Sequence, residues 1–117
     1  MSRIRLAIAA ALCAALAVVG TASAAAIKLT AIVGPGFNIT LKKGTTKVTK
    51  LKPGKYVITV KDLSSIHDFH LRGPGVNKAT GVSKTGTVKW TVTLKKGTYK
   101  YVCDPHAAVM KGSFKVG

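Results

Sequence analysis

Residues 99–112, Tyr-Lys-Tyr-Val-Cys-Asp-Pro-His-Ala-Ala-Val-Met-Lys-Gly, hold the most informative chemistry of the chain. They place a thiol at Cys103, an imidazole at His106 and a thioether at Met110. Sulfur ligands together with imidazole suit a soft or borderline metal ion, copper above all. Pro105 restricts the turn between the first two because it fixes its own φ and favours an extended residue before it. The segment therefore predicts a metal-binding loop.

The strand that leads into this loop predicts which way Cys103 points. Side chains two residues apart in a strand share a face. Lys100 is expected to face water, so Tyr99, Tyr101 and Cys103 are expected to face the core.

The aromatic-x-aromatic-x-Cys strand and the Cys–Pro–His–Met loop resemble the ligand loop of the cupredoxins. These are the blue (type 1) copper proteins such as plastocyanin, pseudoazurin and amicyanin. The matching residues are Tyr99, Tyr101, Cys103, Pro105, His106 and Met110. The resemblance implies one copper ion per chain, electron transfer between Cu(II) and Cu(I), and one further histidine ligand far upstream.

Two histidines lie upstream of Cys103, at positions 67 and 70, in a β-like segment. His67 has the same parity as apolar Phe69, whereas His70 shares the other parity with Asp68. One regular strand cannot aim both imidazoles at one ion, so His67 is expected inside and His70 at the surface. A hydrogen-bonded core histidine and a core-filling methionine are the structural alternatives for two of the ligands. The predicted ligands are His67, Cys103, His106 and Met110.

Three residues are expected to support these ligands without binding the metal: Asp68, Asp104 and Pro105. In cupredoxins the residue after the first histidine is usually Asn and ties the ligand loops together by hydrogen bonds. An ionised Asp68 can accept such bonds but cannot donate them. We expect it to accept a backbone N–H near Cys103 or Asp104. As an anion near the metal, it is also expected to favour Cu(II) and lower the reduction potential.

The loop histidine of cupredoxins is the usual electron port, ringed by apolar residues, and His106 holds that position. Ala107, Ala108 and Val109, together with the loop 73–76, are expected to form the rim. A small apolar patch favours brief docking of a redox partner. Ordinary loop filling is the alternative for these small residues.

Residues 1–24 predict a cleavable secretory signal peptide. Arg3 and Arg5 form the charged start, residues 6–19 form an apolar run, and Ala22-Ser23-Ala24 is a small-residue cleavage site. The run is shorter than the roughly 20 residues of a membrane span, so an uncleaved anchor is the weaker alternative. The protein is therefore expected in the periplasm, cell envelope or medium, and not membrane-spanning after cleavage.

Residues 25–117 predict one all-β domain. Cys13 leaves with the signal peptide, so Cys103 remains as a single cysteine and no internal disulfide can form. Alternating apolar and polar residues with β-branched and aromatic enrichment favour strands, and the turns carry Gly and Pro. The predicted strands are 27–33, 37–41, 55–61, 86–94, 98–103 and 113–116. A Greek-key β-sandwich or barrel of about seven to eight strands is expected, as a monomer.

The charge of this domain is strongly positive. Without Arg3 and Arg5 the chain keeps 17 basic residues against 3 acidic ones, a formal charge of +14. Such a field steers anionic partners, so an acidic redox protein or the anionic cell envelope is expected. Nucleic acid is disfavoured by the export signal and by the lack of a basic-aromatic recognition module. A lysine surface kept for solubility is the alternative.

The sequence therefore predicts a small exported mononuclear type 1 copper protein that carries electrons and is not an enzyme. Three acidic residues leave little for acid–base catalysis. Two other functions stay open. One is copper carriage at the envelope without a redox partner, and the other is a metal-free, lysine-rich β-sandwich that binds anionic envelope polymers.

Overall fold

A computed structural model describes residues 25–117, and the predicted signal peptide at 1–24 lies outside the described residues. The described chain forms ten strands and one short 3-10 helix, Asp104–His106. In chain order the strands are β1 (Ile27–Val33), β2 (Ile39–Lys43), β3 (Thr46–Lys47), β4 (Lys50–Leu51), β5 (Gly54–Asp62), β6 (His70–Gly73), β7 (Val76–Ala79), β8 (Gly86–Leu94), β9 (Gly97–Val102) and β10 (Lys111–Val116). No helix within residues 25–117 is long and apolar enough to cross a membrane.

The strands form two five-stranded sheets. The first has the order β3-β2-β1-β5-β8 and the second the order β4-β10-β9-β6-β7. Both sheets are mixed, because β1 pairs with β5, and β4 with β10, in parallel, while the other pairings are antiparallel. The predicted all-β class is confirmed. The count exceeds the expected seven to eight partly because β3 and β4 are strands of only two residues.

The core lies between the sheets and follows the two-residue alternation of the sequence. Tyr56, Ile58 and Val60 of β5 are buried, while their odd-numbered neighbours are more exposed. Behind the Cys103 loop the core is aromatic. Tyr99 stacks on Phe114 with ring centroids 5.2 Å apart. Nearer the loop, Phe69 stacks on Tyr101 with ring centroids 5.4 Å apart.

The strand predicted at 37–41 begins two residues later than expected, at Ile39. The reason is a tight connection after β1, in which the Gly34 N–H donates to the Asn38 carbonyl at 2.9 Å. This bond removes residues 34–38 from the ladder, and pairing resumes with Val33 opposite Ile39. Phe37 therefore lies in a loop with 63% of its surface exposed.

Three connecting segments lie at one end of the sandwich: 34–38, 63–69 and 103–110. They follow the ends of β1, β5 and β9, respectively. Because β1 and β5 are parallel neighbours, their outgoing segments leave the first sheet side by side. In the second sheet, His70 at the start of β6 is opposite Val102 at the end of β9. This register brings segment 63–69 next to the Cys103 loop.

Candidate metal centre

Three of the predicted ligand atoms meet at this end of the sandwich. His67 Nδ1 lies 3.1 Å from His106 Nδ1. The Cys103 Sγ lies 3.6 Å from His67 Nδ1 and 3.5 Å from His106 Nδ1. His67 and Cys103 are fully buried, and His106 is half-buried. The three atoms form a small triangle although the two histidines are 39 positions apart.

The loop that carries two of these atoms is closed by its own backbone. The Cys103 N–H donates to the Met110 carbonyl at 3.0 Å, and the Met110 N–H donates to the His106 carbonyl at 2.8 Å. The 3-10 turn adds a bond from the His106 N–H to the Cys103 carbonyl at 3.0 Å, and Pro105 supplies its fixed φ. The spacing of thiol and imidazole is therefore held by the main chain.

The triangle fits a copper ion. The point equidistant from the three atoms lies about 2.0 Å from each, which is the usual bond length of an imidazole nitrogen to a transition metal and slightly short for a thiolate. Two imidazoles and one thiolate in a trigonal arrangement are the donor set of blue copper sites. Burial raises the pKa of the Cys103 thiol, so the metal-free thiol holds its proton at neutral pH. Metal binding is therefore coupled to release of that proton.

Met110, the fourth predicted ligand, is fully buried and belongs to the same loop. Its two backbone bonds to Cys103 and His106 fix its main chain beside both of them. A weak, long axial thioether is typical of this class of site. The axial role of Met110 stays a prediction.

Asp68 ties the two ligand-bearing segments together. Its Oδ1 accepts the backbone N–H of Asp104 at 2.6 Å, which joins the residue after His67 to the residue after Cys103. Burial raises the pKa of Asp68 to about 6. The pKa of Asp104 is lowered, first by its contact with Asp68 and then by hydrogen bonding to His70. The effect of Asp68 on the metal stays a prediction.

The expected surface position of His70 is wrong, and Asp68, which shares its parity, is only 1% exposed. Residues 67–69 precede β6 and lie outside regular strand structure, so the two-residue alternation does not apply to them. His70 does begin β6, but its imidazole is only 12% exposed, because its Nδ1 bonds the Asp104 carboxylate at 2.9 Å. As predicted, His67 and not His70 lies in the cluster that contains the Cys103 thiol.

Phe37 is the site neighbour that the sequence pattern did not reveal. Its ring centroid lies 4.9 Å from that of His106 and 5.3 Å from that of His67, both edge-to-face. The only sequence signal was the Gly34-Pro35-Gly36 break immediately before it, which marks a loop and not a strand. Phe37 thus covers both imidazoles while facing solvent.

Only part of the expected apolar rim around His106 is present in the structure. Ala107, Ala108 and Val109 are exposed beside His106, and Val109 keeps 69% of its surface open. The loop 73–76 is not part of the rim, because β6 runs away from the metal end. Its Pro74 carbonyl instead accepts the Tyr99 hydroxyl at 3.0 Å near the start of β9.

The segments beside the site supply other exposed apolar residues. Leu63 and Ile66, in the segment that carries His67, are each 53% exposed. Together with Phe37 and Val109 they form what we call the apolar end. Their exposure leaves the metal end of the sandwich open to contact.

Two buried polar atoms near the site have no protein partner within the described residues, His67 Nε2 and Asp62 Oδ2. His67 therefore directs its Nδ1 at the other two ligands and leaves its second nitrogen free of protein contacts. Asp62 lies at the end of β5, and its pKa is raised mainly by burial.

A two-sheet sandwich with a buried thiol and two converging imidazoles defines the class of mononuclear type 1 copper proteins. Residues 17–117 match the family model described as copper binding proteins, plastocyanin/azurin family, and the chain belongs to that family. The resemblance to cupredoxins is thereby confirmed, and the expected cofactor is one type 1 copper ion.

The fold is similar to that of solved rusticyanin structures. One is reduced rusticyanin at 1.9 Å, with a TM-score of 0.56 and 25% sequence identity over 77% of this chain and 78% of that chain. Another is rusticyanin from Thiobacillus ferrooxidans at 1.27 Å, with a TM-score of 0.54 and 26% identity over 77% and 76% of the two chains. No curated protein sequence matches the chain.

Proposed function

We propose that the protein is an exported electron carrier that uses its single copper site for one-electron transfer. Bound copper would supply the change between Cu(II) and Cu(I). The observation that carries the proposal is the preformed triangle of His67, Cys103 and His106, two of which lie on a loop closed by main-chain hydrogen bonds. Ligands that are already in place need little rearrangement when the metal charge changes, and this favours fast transfer.

The chain's own residues hold and shield this site. Met110 would offer its thioether as a fourth, weaker ligand, which its full burial and its backbone bonds within the ligand loop support. Asp68 and Asp104 keep the two ligand-bearing segments in register through their 2.6 Å hydrogen bond, and Pro105 restricts the turn. These contacts limit the access of water to the metal.

Electrons are proposed to enter and leave through His106. It is the half-buried member of the triangle, and the exposed Ala107, Ala108, Val109 and Phe37 surround it. An apolar contact area of this kind suits brief encounters with a redox partner.

Export, partners and the lack of enzymatic activity are further parts of the proposal. Export rests on the signal-peptide pattern at residues 1–24. The surplus of lysine favours an acidic redox protein or the anionic cell envelope as partner, whereas nucleic acid is disfavoured. The three acidic residues leave few groups for catalysis, and a monomer is expected.

The proposal is tested by voltammetry and electron self-exchange on copper-loaded protein. We expect a reversible one-electron wave and fast self-exchange. Val109→Ser should slow self-exchange, because it puts a polar group in the apolar end. Ile27→Ser is the matched control, since Ile27 is also exposed (39%) but begins β1 at the opposite end. An irreversible wave together with rapid loss of copper to a chelator would instead indicate copper carriage.

A further inference from the structure

Each of the three side-chain carboxylates of the described chain is either buried or bound by another side chain. Asp62 and Asp68 are buried at 3% and 1% exposure. Asp104 is bound by His70 at 2.9 Å and lies 3.9 Å from the Arg72 guanidinium. The lysines of residues 25–117 therefore have almost no acidic side chains available to them, and their charge is directed at solvent.

Cations also stand directly opposite one another in the strand register. Like charges in such positions are destabilising, and sheets usually place opposite charges or neutral residues there. The three opposed pairs are Lys42 with Lys47, Lys50 with Lys115, and Arg72 with Lys100. Each pair contributes at least one side chain to shallow depressions on the outer face of the second sheet and at the corner between β3 of the first sheet and β4 of the second.

The outer face of the first sheet is different. Where β5 pairs with β8, its exposed lysines stand opposite neutral threonines. The pairs are Lys55 with Thr93, Lys61 with Thr87, and Lys89 with Thr59. Opposed cations are therefore not a general consequence of the lysine content. Two of the three pairs lie in the second sheet, and the third lies at the β2–β3 edge of the first sheet.

The depressions on the basic side adjoin one another. One of about 420 Å³ is lined by Lys47, Lys100 and Lys111. It shares Lys100 with a neighbouring depression that also contains Arg72, and it shares Lys47 with another that contains Lys50. Within the described residues, none of these walls includes a carboxylate or a Phe, Tyr or Trp ring. The result is a continuous shallow track of positive charge.

We propose that this basic face binds a linear polyanion of the phosphate class, such as polyphosphate or a phosphodiester chain without nucleobases. The basic face is defined by Lys47, Lys50, Arg72, Lys100, Lys111 and Lys115. A flexible chain with regularly repeated charges can follow a track of lysines and relieve the repulsion between the opposed pairs. Lysine binds phosphate as a compact point charge and demands no fixed geometry.

Other anionic partners fit this face less well. Binding energy at folded protein interfaces is concentrated in buried aromatic and arginine anchors. Among the described residues the track has no Phe, Tyr or Trp, and its one arginine, Arg72, is 62% exposed. Single-stranded nucleic acid binds on aromatic side chains that stack with its bases, and these are missing here as well. Phe37, 63% exposed, lies at the apolar end and not on the track.

The face and the apolar end are separate surfaces of one molecule. The face follows the sides of β9, β10 and β6, whereas His106 lies beyond the end of β9. A protein held on an anionic polymer would therefore keep its electron port free. This consequence rests on the proposed function, but polymer binding itself does not require copper.

The probe is long-chain inorganic polyphosphate, added to protein purified after expression of the full chain, and binding is followed by fluorescence anisotropy at several salt concentrations. The test variant Lys47→Gln/Lys50→Gln/Lys100→Gln removes one cation from each opposed pair. The control variant Lys55→Gln/Lys61→Gln/Lys89→Gln removes the same charge from the first sheet. We expect the test variant to bind at least tenfold more weakly and the control less than threefold. The salt slope of the test variant should fall by about two.

Folding and copper binding are checked in the same samples. Relief of opposed charges should leave the thermal midpoint of the test variant unchanged or higher, and arginine at the same three positions should preserve binding. Copper-free and copper-loaded protein should bind polyphosphate equally, which separates this inference from the electron-transfer proposal. Equal losses in both glutamine variants, or no loss in either, would overturn it. So would tighter binding of polyglutamate or single-stranded DNA through the same lysines.

Discussion

Replacement of Asp68 by Asn changes a buried charge and keeps the shape of the side chain. In copper-free protein the folded carboxyl has a pKa of about 6 instead of the ordinary 3.8, chiefly because it is buried. As the pH rises from about 4 to 6, the unfolded chain loses this proton before the folded chain does. The carboxyl therefore lowers the free energy of unfolding as the pH rises, and the Asp68→Asn substitution would remove that penalty.

The size of the effect follows from the same values. The difference between a pKa of about 6 and 3.8 corresponds to about 3 kcal/mol against the folded state at neutral pH. The pKa of Asp104 is lowered in the same contact, and this stabilises the folded state above its ordinary ionisation range. After this offset we expect copper-free Asp68→Asn to be more stable than the parent by about 1 to 2 kcal/mol at pH 7.5.

Urea unfolding of copper-free protein from pH 4 to pH 7.5 measures this difference directly. Asp68→Asn should gain its advantage as the pH rises, and the advantage should disappear near pH 4. Asp68→Ala is the control, because it also removes the acceptor of the Asp104 N–H at 2.6 Å. An unpaired buried N–H costs about 1 to 3 kcal/mol, so the alanine variant should be less stable than the asparagine variant at every pH.

A pH-independent difference, or an asparagine variant less stable than the parent at pH 7.5, would refute the reasoning. In copper-loaded protein the same substitution removes an anion beside the metal and should raise the midpoint potential. A midpoint that stays unchanged or falls in voltammetry would count against the proposed electrostatic role of Asp68.

Two other substitutions probe the neighbours of the ligands. Phe37→Ala uncovers both imidazoles to water, which favours Cu(II), so the midpoint potential should fall, whereas Phe37→Leu should keep most of the parental value in voltammetry. Gly34→Ala strains a residue at φ +73° and puts a methyl group 3.3 Å from His67 Cδ2. Gly44→Ala has similar strain at φ +61° but meets no atom within 4 Å. Both glycine variants should lose about 1 to 2 kcal/mol of unfolding free energy in urea. Only Gly34→Ala should weaken copper binding in a chelator titration. Equal copper affinities of the two variants would contradict this prediction.

Much of the site could be predicted because its information is local. Cys103, His106 and Met110 lie in one short loop, and the alternation of β9 aims Tyr99, Tyr101 and Cys103 inward, where all three are buried. His67 was selected as a ligand because it shares the strand parity of Phe69, which is also buried. That inference succeeded although residues 67–69 are not in a regular strand, because the apolar neighbour and the ligand both face the core.

The features that the sequence did not reveal depend on which segments meet in space. The burial of Asp68 is not encoded by a periodic pattern, although its acceptor role toward the Asp104 N–H was expected from the cupredoxin resemblance. Phe37 covers the imidazoles because a bond between Gly34 and Asn38 ends the ladder before it. The basic face depends on strand register, since the opposition of Arg72 and Lys100 appears only when β6 and β9 are paired.

The copper site is tested most directly by adding Cu(II) to the purified protein and recording its visible and EPR spectra. Convergence of His67, Cys103 and His106 predicts an intense thiolate-to-copper band in the red and a narrow copper hyperfine splitting. Both signals should vanish in Cys103→Ser. A protein that stays colourless after copper loading, or that shows the wide hyperfine splitting of copper without a thiolate ligand, would contradict the assignment.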